Sequence, residues 1–353
     1  MKILVVDELC YPQLGGIQVR FKALAEQWIK LGHTVHVTAI DHTGVQPPTE
    51  VINGVCYNRV IKDNSYYKNG RFGRKISTIF KYTFKLDPYF KQDWDIIIFC
   101  QFPMIPQLFY KLFYKKRAKT ALDFVEYRNS SLWRVINRLI INAADHVVCI
   151  SNYVKNRVSE YSAESLSVMP SFVDMSKAVS KTKANYVFLG RMEEHKHPEL
   201  AIEAVIEYRK AYNKNIQLNM VGGGTLLESL KSTYAGLPFV TFYGSVTEEQ
   251  KAEILAKGRI LILPSEREGL PIVVIEAMSF GVPTITTDFM GNGTKYFVDE
   301  LNIGKVALPN VSAIAGKINE LEENYTEYVD RCNDIKGNYD IHLISKRYLE
   351  IFN

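Results

Sequence analysis

The sequence predicts an α/β protein made of two doubly wound parallel-sheet domains. Short apolar runs alternate with helical patterns along the whole chain, as βαβ units require. The alternation breaks once, near the middle, at a Pro-containing strand followed by a polar stretch. A length of 353 residues suits about two cores.

Lys2–Asp7 reads as a buried strand, and its apolar run is too short for a secretory leader. From about Val19 to Leu31, Phe21, Leu24, Ala25, Trp28 and Ile29 form one helical stripe that Gly32 stops. Strands are expected at Thr34–Ile40, Asp95–Phe99, Leu122–Val125 and His146–Ile150. Around Ser167–Asp174 the pattern closes, and polar residues run on to Ala184. The domain boundary is placed there, giving segments 1–175 and 176–337. The second series of strands is Asn185–Leu189, Gln217–Val221, Val240–Tyr243, Arg259–Leu263 and Thr284–Thr286, and the tail Ile341–Phe352 is amphipathic.

Composition is that of an ordinary globular protein, 47% hydrophobic and 23% charged, without low-complexity tracts or repeats. No apolar run reaches the length of a membrane span; Trp94–Phe99 is only strand-sized. Five cysteines (Cys10, Cys56, Cys100, Cys149 and Cys332) are scattered without paired spacing. They imply a reducing compartment, no disulfide framework and no zinc site, hence a cytoplasmic protein.

The most informative segment runs from Pro264 to Met278. It places Glu268 on a tight loop after the strand Arg259–Leu263, and Glu276 about a turn and a half into a helix that starts near Pro271. Loops at the carboxyl ends of parallel strands form the ligand crevice of open α/β sheets. An acidic residue there can accept hydrogen bonds from sugar or ribose hydroxyls. Arg191 and Lys196 follow a strand and lie five residues apart, where a guanidinium fork and a point charge can both reach a diphosphate. Gly15-Gly16 opens the first helix and offers backbone N–H groups to phosphate or acceptor. It is not the Gly-x-Gly-x-x-Gly of a dinucleotide fold, which counts against a dehydrogenase. His33, His36 and His146 sit in strand contexts and read as structural, His195 and His197 as surface residues. Asp93-Trp94-Asp95 leads into a strand, whereas a metal-binding pair would follow one.

Six stretches in order carry a resemblance. They are Tyr11-Pro-Gln-Leu-Gly15-Gly16, Leu31-Gly-His-Thr-Val-His-Val37, Tyr186-Val-Phe-Leu-Gly190-Arg191 with Lys196, Leu218-Asn-Met-Val-Gly222-Gly-Gly224, Phe242-Tyr-Gly-Ser-Val246, and the Glu268-x7-Glu276 segment. Together they resemble the retaining glycosyltransferases of family 4, whose fold is GT-B: two Rossmann-like domains facing a central cleft. The resemblance implies an acceptor-binding first domain completed by a C-terminal helix of about 338–353, and a second domain that binds a nucleotide-sugar. It implies that Glu268 lies by the donor hexose, Glu276 holds the ribose, and Arg191 and Lys196 stabilise the departing diphosphate. Gly16, Gly190, Gly222, Val246 and the Gly269-Leu270-Pro271 segment complete the donor site. It further implies net retention by same-face attack, no metal and no cofactor beyond the donor, with a UDP-sugar first and GDP-mannose second. Many relatives carry a His at the end of the strand Ala121–Val125; here the position falls on or beside Glu126, which takes over that contact or leaves it lost. A non-catalytic nucleotide-sugar-binding subunit and a sugar-nucleotide epimerase are the competing readings; the two-glutamate and Gly-Arg-x4-Lys spacings favour transfer.

Residues 1–175 carry 23 Lys and Arg against 15 Asp and Glu, within a chain of net charge +5. The surplus concentrates in Lys62–Lys91 and Lys111–Lys119, interleaved with Phe and Tyr. That interleaving suits an anionic membrane surface, an anionic glycan or nucleic acid. The absence of a nucleic-acid module disfavours the last. A glycan or lipid-linked acceptor reached from the cytoplasmic membrane face is therefore the expectation.

Overall fold

The computed structural model describes residues 1–12, 16–68, 71–72, 75–114, 118–128, 130–161, 165–175, 183–269 and 272–352. Met1–Pro170 with Ile341–Asn353 form one compact unit, and Ser171–Asp340 the other.

The first unit begins with β1 (Lys2–Val6), α1 (Gly16–Lys30), β2 (Thr34–Asp41), β3 (Thr49–Ile52) and β4 (Val55–Lys62). A two-residue ribbon, β5 (Tyr67–Lys68) with β6 (Arg71–Phe72), precedes α2 (Ile76–Lys85) and α3 (Asp87–Phe90). Then come β7 (Ile96–Cys100), α4 (Ile105–Phe113), β8 (Lys119–Phe124), α5 (Ser131–Ile141), β9 (His146–Cys149), α6 (Asn152–Val158) and β10 (Leu166–Val168). Among the described residues the main sheet has the order β10-β9-β8-β7-β1-β2-β4-β3. Its strands are parallel except β3, which pairs antiparallel with β4 at the edge. The chain starts in the middle of the sheet, builds outward through β2 and β4, then returns beside β1 and builds the other way. Ile3 to Val6 are buried throughout, because helices cover both sheet faces.

The apolar stripe of α1 is buried as Phe21, Leu24, Ala25 and Trp28. It packs against the final helix, α14 (Ile341–Glu350), which thereby belongs to the first unit. Trp28 Nε1 donates to the Ser345 carbonyl at 2.9 Å, and the Trp28 and Tyr348 rings meet edge-on at 5.5 Å. The Tyr348 hydroxyl donates to Asp123 at 3.2 Å, and the Arg20 guanidinium stands 3.4 Å from the same carboxylate. Arg20 also donates to the carbonyls of Met169 and Pro170, at 2.8 and 2.7 Å. Burial raises the Asp123 pKa; Arg20 and Tyr348 pull it back.

The second unit contains β11 (Asn185–Leu189), α7 (Pro198–Ala211), β12 (Gln217–Val221), α8 (Leu227–Thr233), β13 (Val240–Gly244), α9 (Glu248–Ala256) and β14 (Gly258–Leu263). It continues with β15 (Arg267–Glu268), α10 (Ile272–Ser279), β16 (Thr284–Thr287), β17 (Gly291–Asn292), α11 (Thr294–Leu301), β18 (Gly304–Ala307), α12 (Val311–Glu323) and α13 (Tyr325–Ile335). The main sheet is wholly parallel, in the order β13-β12-β11-β14-β16-β18. Tyr186, Phe188, Ile202, Val205, Ile262, Ile314 and Ile318 share its core.

The units divide at Pro170/Ser171 and Asp340/Ile341, not at 175 and 338. Val173 N donates to the Tyr339 carbonyl at 3.1 Å, so the segment after Pro170 is tied to the end of the second unit. The sequence reading also lacks β3, β4 and β18, and its Pro-containing strand near Ser167 is β10, which ends at Val168, before the proline. In β4 the polar Asn58 and Arg59 mask the strand pattern, yet both are buried. Arg59 is satisfied by the carbonyls of Pro47 (3.1 Å) and Tyr11 (2.9 Å) and by Glu50 (3.0 Å). Asp95 accepts from Lys2 N at 2.6 Å, a structural bond at the start of β7.

Two outcomes follow. Tyr348→Ala, which empties an aromatic site between α1 and β8, should cost about 3–5 kcal/mol in urea unfolding; a cost below about 1 kcal/mol would remove α14 from the stabilising core. Burial, reinforced by the Glu8 carboxylate, pushes Asp7 up to about 8. A raised carboxyl contributes stability that is full below its unfolded pKa of about 4 and lost as pH rises through about 8. The urea midpoint of Asp7→Asn should therefore fall less between pH 5 and pH 9 than that of the wild type, and parallel profiles would contradict the assignment.

Candidate active site

In the second unit the strand order reverses between β11 and β14. Loops leaving the carboxyl ends of two such strands diverge and leave a crevice. The loop after β11 holds Gly190, Arg191 and Lys196; the loop after β14 leads to Glu268. The turn after β12 fixes the first of these. A Cβ on Gly222 would lie 1.9 Å from the Gly190 carbonyl oxygen, and one on Gly224 would lie 2.4 Å from that of Met192. Both glycines also have positive φ, 133° and 149°. Gly222 is thus a close-packing residue, and the Gly190–Met192 segment lies flat against it, with Met192 N donating to the Gly223 carbonyl at 2.8 Å. The Arg191 side chain is exposed.

A 3₁₀ turn, Glu194–Lys196, follows, and His197 adopts a left-handed φ of 47° before Pro198 opens α7. Glu266 N donates to the His195 carbonyl at 2.8 Å, tying this turn to the loop after β14. His195 and His197, expected on the surface, are half-buried. The His197 ring stacks on Phe289 at 5.1 Å, which the sequence spacing could not reveal.

Lys196 Nζ donates to Glu268 Oε1, with only 12% and 13% of the two side chains exposed. Burial and the Arg191 guanidinium push the Lys196 ammonium down to about 8. The Glu268 carboxylate against it favours the charged form. Glu268 is not on a free loop. It lies in β15, paired with β17, and its carbonyl accepts from Gly293 N at 2.7 Å. Behind it the buried Asn292 amide donates to Thr286 Oγ1 (2.9 Å) and the Thr287 carbonyl (2.8 Å), and accepts from Thr294 N (3.1 Å). Gly269 is half-buried; Leu270 and Pro271 lie outside the described residues, as does Gly15.

Glu276 lies on α10 and is buried. Its Oε1 accepts from Lys251 Nζ at 2.6 Å, while Oε2 is buried with no hydrogen-bond partner among the described residues. Burial raises the Glu276 pKa against the pull of Lys251. Burial also pulls Lys251 down, but the carboxylates of Glu276 and Glu248 outweigh it and hold its pKa above the ordinary value. An orphaned buried carboxylate oxygen costs free energy unless a ligand donates to it. Lys251 was missed from sequence. Its signal is the Thr247-x-x-Gln250 capping box, which fixes the start of α9 and so places Lys251 in its first turn. Val246 is half-buried in the loop just before that cap.

In the first unit Gly16 is the first residue of α1, and Glu126 follows β8. The Glu126 carboxylate, 48% exposed, pairs with Arg128 through two bonds of 3.1 and 3.2 Å. Its backbone is clamped by Gln101, which accepts from Glu126 N at 2.8 Å and donates to its carbonyl at 2.6 Å. His146 bonds Ser165 and Ser167 at 2.8 and 2.9 Å. Among the described residues no cluster of three or more His, Cys, Asp or Glu side chains could hold a metal ion.

The family model for Glycosyl transferases group 1 matches residues 173–338, and that for Glycosyltransferase Family 4 matches residues 14–177. A Campylobacter jejuni alpha-1,4-N-acetyl-D-galactosaminyltransferase acting on a diNAcBac-PP-undecaprenol-linked glycan is 30% identical over 48% of this chain and 48% of its own length. The Escherichia coli O-antigen biosynthesis glycosyltransferase WbnH is 24% identical over 64% of each chain. An uncharacterised glycosyltransferase of Methanocaldococcus jannaschii is 24% identical over 57% of this chain and 56% of its own. The chain thus spans roughly half the length of the curated relatives it matches. Among solved structures, sucrose-phosphate synthase of Thermosynechococcus elongatus superposes with a TM-score of 0.79 at 16% identity, covering 99% of this chain and 98% of that one. Anabaena HepE, in complex with UDP and glucose, gives a TM-score of 0.73 at 14% identity and 99% and 98% coverage. Both likenesses establish the GT-B fold.

Lys251→Met leaves the Glu276 carboxylate buried without its cation and should cost about 1–3 kcal/mol in urea unfolding at neutral pH. Lys251→Arg should recover most of the loss, and a Met variant as stable as the wild type would deny the pair its weight.

Proposed function

We propose a sugar transfer for this chain, which belongs to the family 4, or group 1, glycosyltransferases. The donor is a nucleoside-diphosphate sugar, and the acceptor is a hydroxyl of a glycan or lipid-linked glycan in polysaccharide or glycoconjugate synthesis. The carrying observation is the largely buried Lys196–Glu268 pair at the strand reversal, together with a buried Glu276 oxygen that has no donor among the described residues.

Breaking the bond between a sugar and a nucleoside diphosphate loads negative charge onto the leaving phosphate. Arg191 and Lys196 supply fixed positive charge there, aided by backbone N–H groups near Gly269. Glu276 accepts from the ribose hydroxyls through its free oxygen, while Lys251 holds the other. Glu268, released from Lys196 when the diphosphate arrives, lies beside the hexose. The acceptor oxygen attacks the anomeric carbon on the face the diphosphate leaves, and its proton passes to the departing phosphate oxygen. The configuration is retained with no covalent enzyme intermediate and no metal. UDP is the first nucleotide to test, since solved relatives hold UDP or a UDP-sugar. Gly16 and Glu126 are assigned to the acceptor side. Among the described residues no helix is long and apolar enough to cross a membrane, and we place the protein peripherally at the cytoplasmic face.

Thermal shift and donor hydrolysis against UDP-, GDP-, ADP- and dTDP-sugars test the reading. One nucleotide class should stabilise the protein, by about 2.7 kcal/mol at a hundredfold excess over Kd. Lys196→Ala should lower turnover about 10²–10³-fold, Glu268→Ala should abolish it, and EDTA should leave it unchanged. No stabilisation of a folded protein by any donor would sink the donor site; binding with no sugar release would leave a non-catalytic subunit. Burial and the Arg191 guanidinium hold the Lys196 ammonium below its ordinary pKa, at about 8, and a bound diphosphate raises it again. Nucleotide binding at pH 8 should therefore take up a proton, read by calorimetry in buffers of different ionisation heat, and Lys196→Met should remove that uptake.

A further inference from the structure

Helices α2, α4 and α5 form one outer layer of the first unit. The chain moves from β4 to β7, from β7 to β8 and from β8 to β9 in the same direction along the sheet. Right-handed crossovers put the connecting helices on the same sheet face. α4 packs against both α2 and α5, and Phe109 meets Phe84 at 5.6 Å and Phe113 at 4.8 Å.

A helix covering a sheet needs apolar side chains only on its inner face. These three carry them outward as well. Of the eighteen exposed large hydrophobic residues among the described ones, eight lie on these helices. Phe84 is 62% exposed, Leu112 69%, Phe113 68% and Leu132 68%. Phe80 precedes Phe84 by one turn and Leu139 follows Leu132 by two, so the exposed residues form stripes. None of the three helices contains Asp or Glu, while Lys81, Lys85, Lys111, Arg134 and Arg138 are exposed on them. Phe80 and Phe84 do not face the core; Ile79 and Tyr82 take the inner positions. The side chains of Lys68, Arg71 and Phe72, with all of Arg74 and Lys115–Arg117, lie outside the description.

We propose that the α2–α4–α5 face docks on an anionic lipid bilayer, with its apolar side chains in the headgroup–acyl boundary and its Lys and Arg residues on lipid phosphates. Protein interfaces are depleted in Lys, whereas apolar stripes rimmed by basic residues with no acidic residue match an anionic bilayer surface. The proposal rests on the peripheral location given above and adds the surface, including α5, which neither basic cluster contains.

Flotation of the full chain with vesicles of phosphatidylcholine, alone or mixed with phosphatidylglycerol, tests it. The wild type should float with the anionic vesicles and release as salt rises. Phe84→Ser/Leu112→Ser/Leu139→Ser should bind about tenfold more weakly or worse, while circular dichroism and a cooperative thermal transition show the variant still folded, since all three side chains are mostly exposed. Lys81→Gln/Lys85→Gln/Lys111→Gln should lose the preference for anionic vesicles. A wild type that floats with neither vesicle, or an apolar variant that floats like the wild type, would overturn the proposal. So would a dimer in light scattering that the apolar substitutions dissolve, which would make the face a contact between copies. Vesicle binding is read without donor or acceptor, so failure here leaves the transfer reaction standing.

Discussion

A parallel sheet must begin somewhere inside itself, and both units are organised by that constraint. Parallel strands need crossovers, crossovers are right-handed, and helices must cover both faces. A chain that starts with a central strand and builds outward in both directions meets all three requirements. The cost is a reversal point where two neighbouring strands send their loops apart. In the second unit that point lies between β11 and β14, and Lys196 and Glu268 meet across it. In the first it lies between β1 and β7, where the loops after Val6 and Cys100 leave the sheet.

Charges at these strand ends are taken out of water in compensated sets. Lys196 stands with Glu268, Lys251 with Glu276, and Arg20 with Asp123 and Tyr348. Removing one member of such a set strands the other, which costs more than the set contributes net. Asp7 has no cationic partner among the described residues and is driven toward its neutral form instead. The sets differ in completeness. Arg20 and Asp123 close a structural joint between α1, β8 and α14. Glu276 keeps one buried oxygen without a donor among the described residues, the property a site retains for a ligand.

Legibility in the sequence followed the physics of each segment. The strands Asn185–Leu189 and Gln217–Val221 were placed to the residue, because a strand buried on both faces is a bare apolar run between polar turns. The strand Val55–Lys62 was not, because its buried Arg59 is satisfied by carbonyls that arrive from other loops. The motif residues drew attention through residue type and spacing. Lys251 has only the neighbouring capping box to place it in the first turn of α9, and its importance arises from the carboxylate it meets 25 positions later in the chain. Phe80 and Phe84 alternate with Lys as core-facing residues also can, and only the packing of Ile79 and Tyr82 decided which side faced outward.

By itself the sequence determined the α/β class, the two parallel series and the order of the glycine and charged motifs, since these depend on local periodicity and residue chemistry. It could not determine that Gly222 serves close packing, that Glu268 sits in a small second sheet, or that Glu276 is half satisfied by Lys251. Those facts depend on which loops the strand reversal brings together, and contact between residues distant in the chain is set by tertiary topology. Burial then gives the contacts their weight, because a charge meets its partner in a low-dielectric site only after the whole sheet has formed.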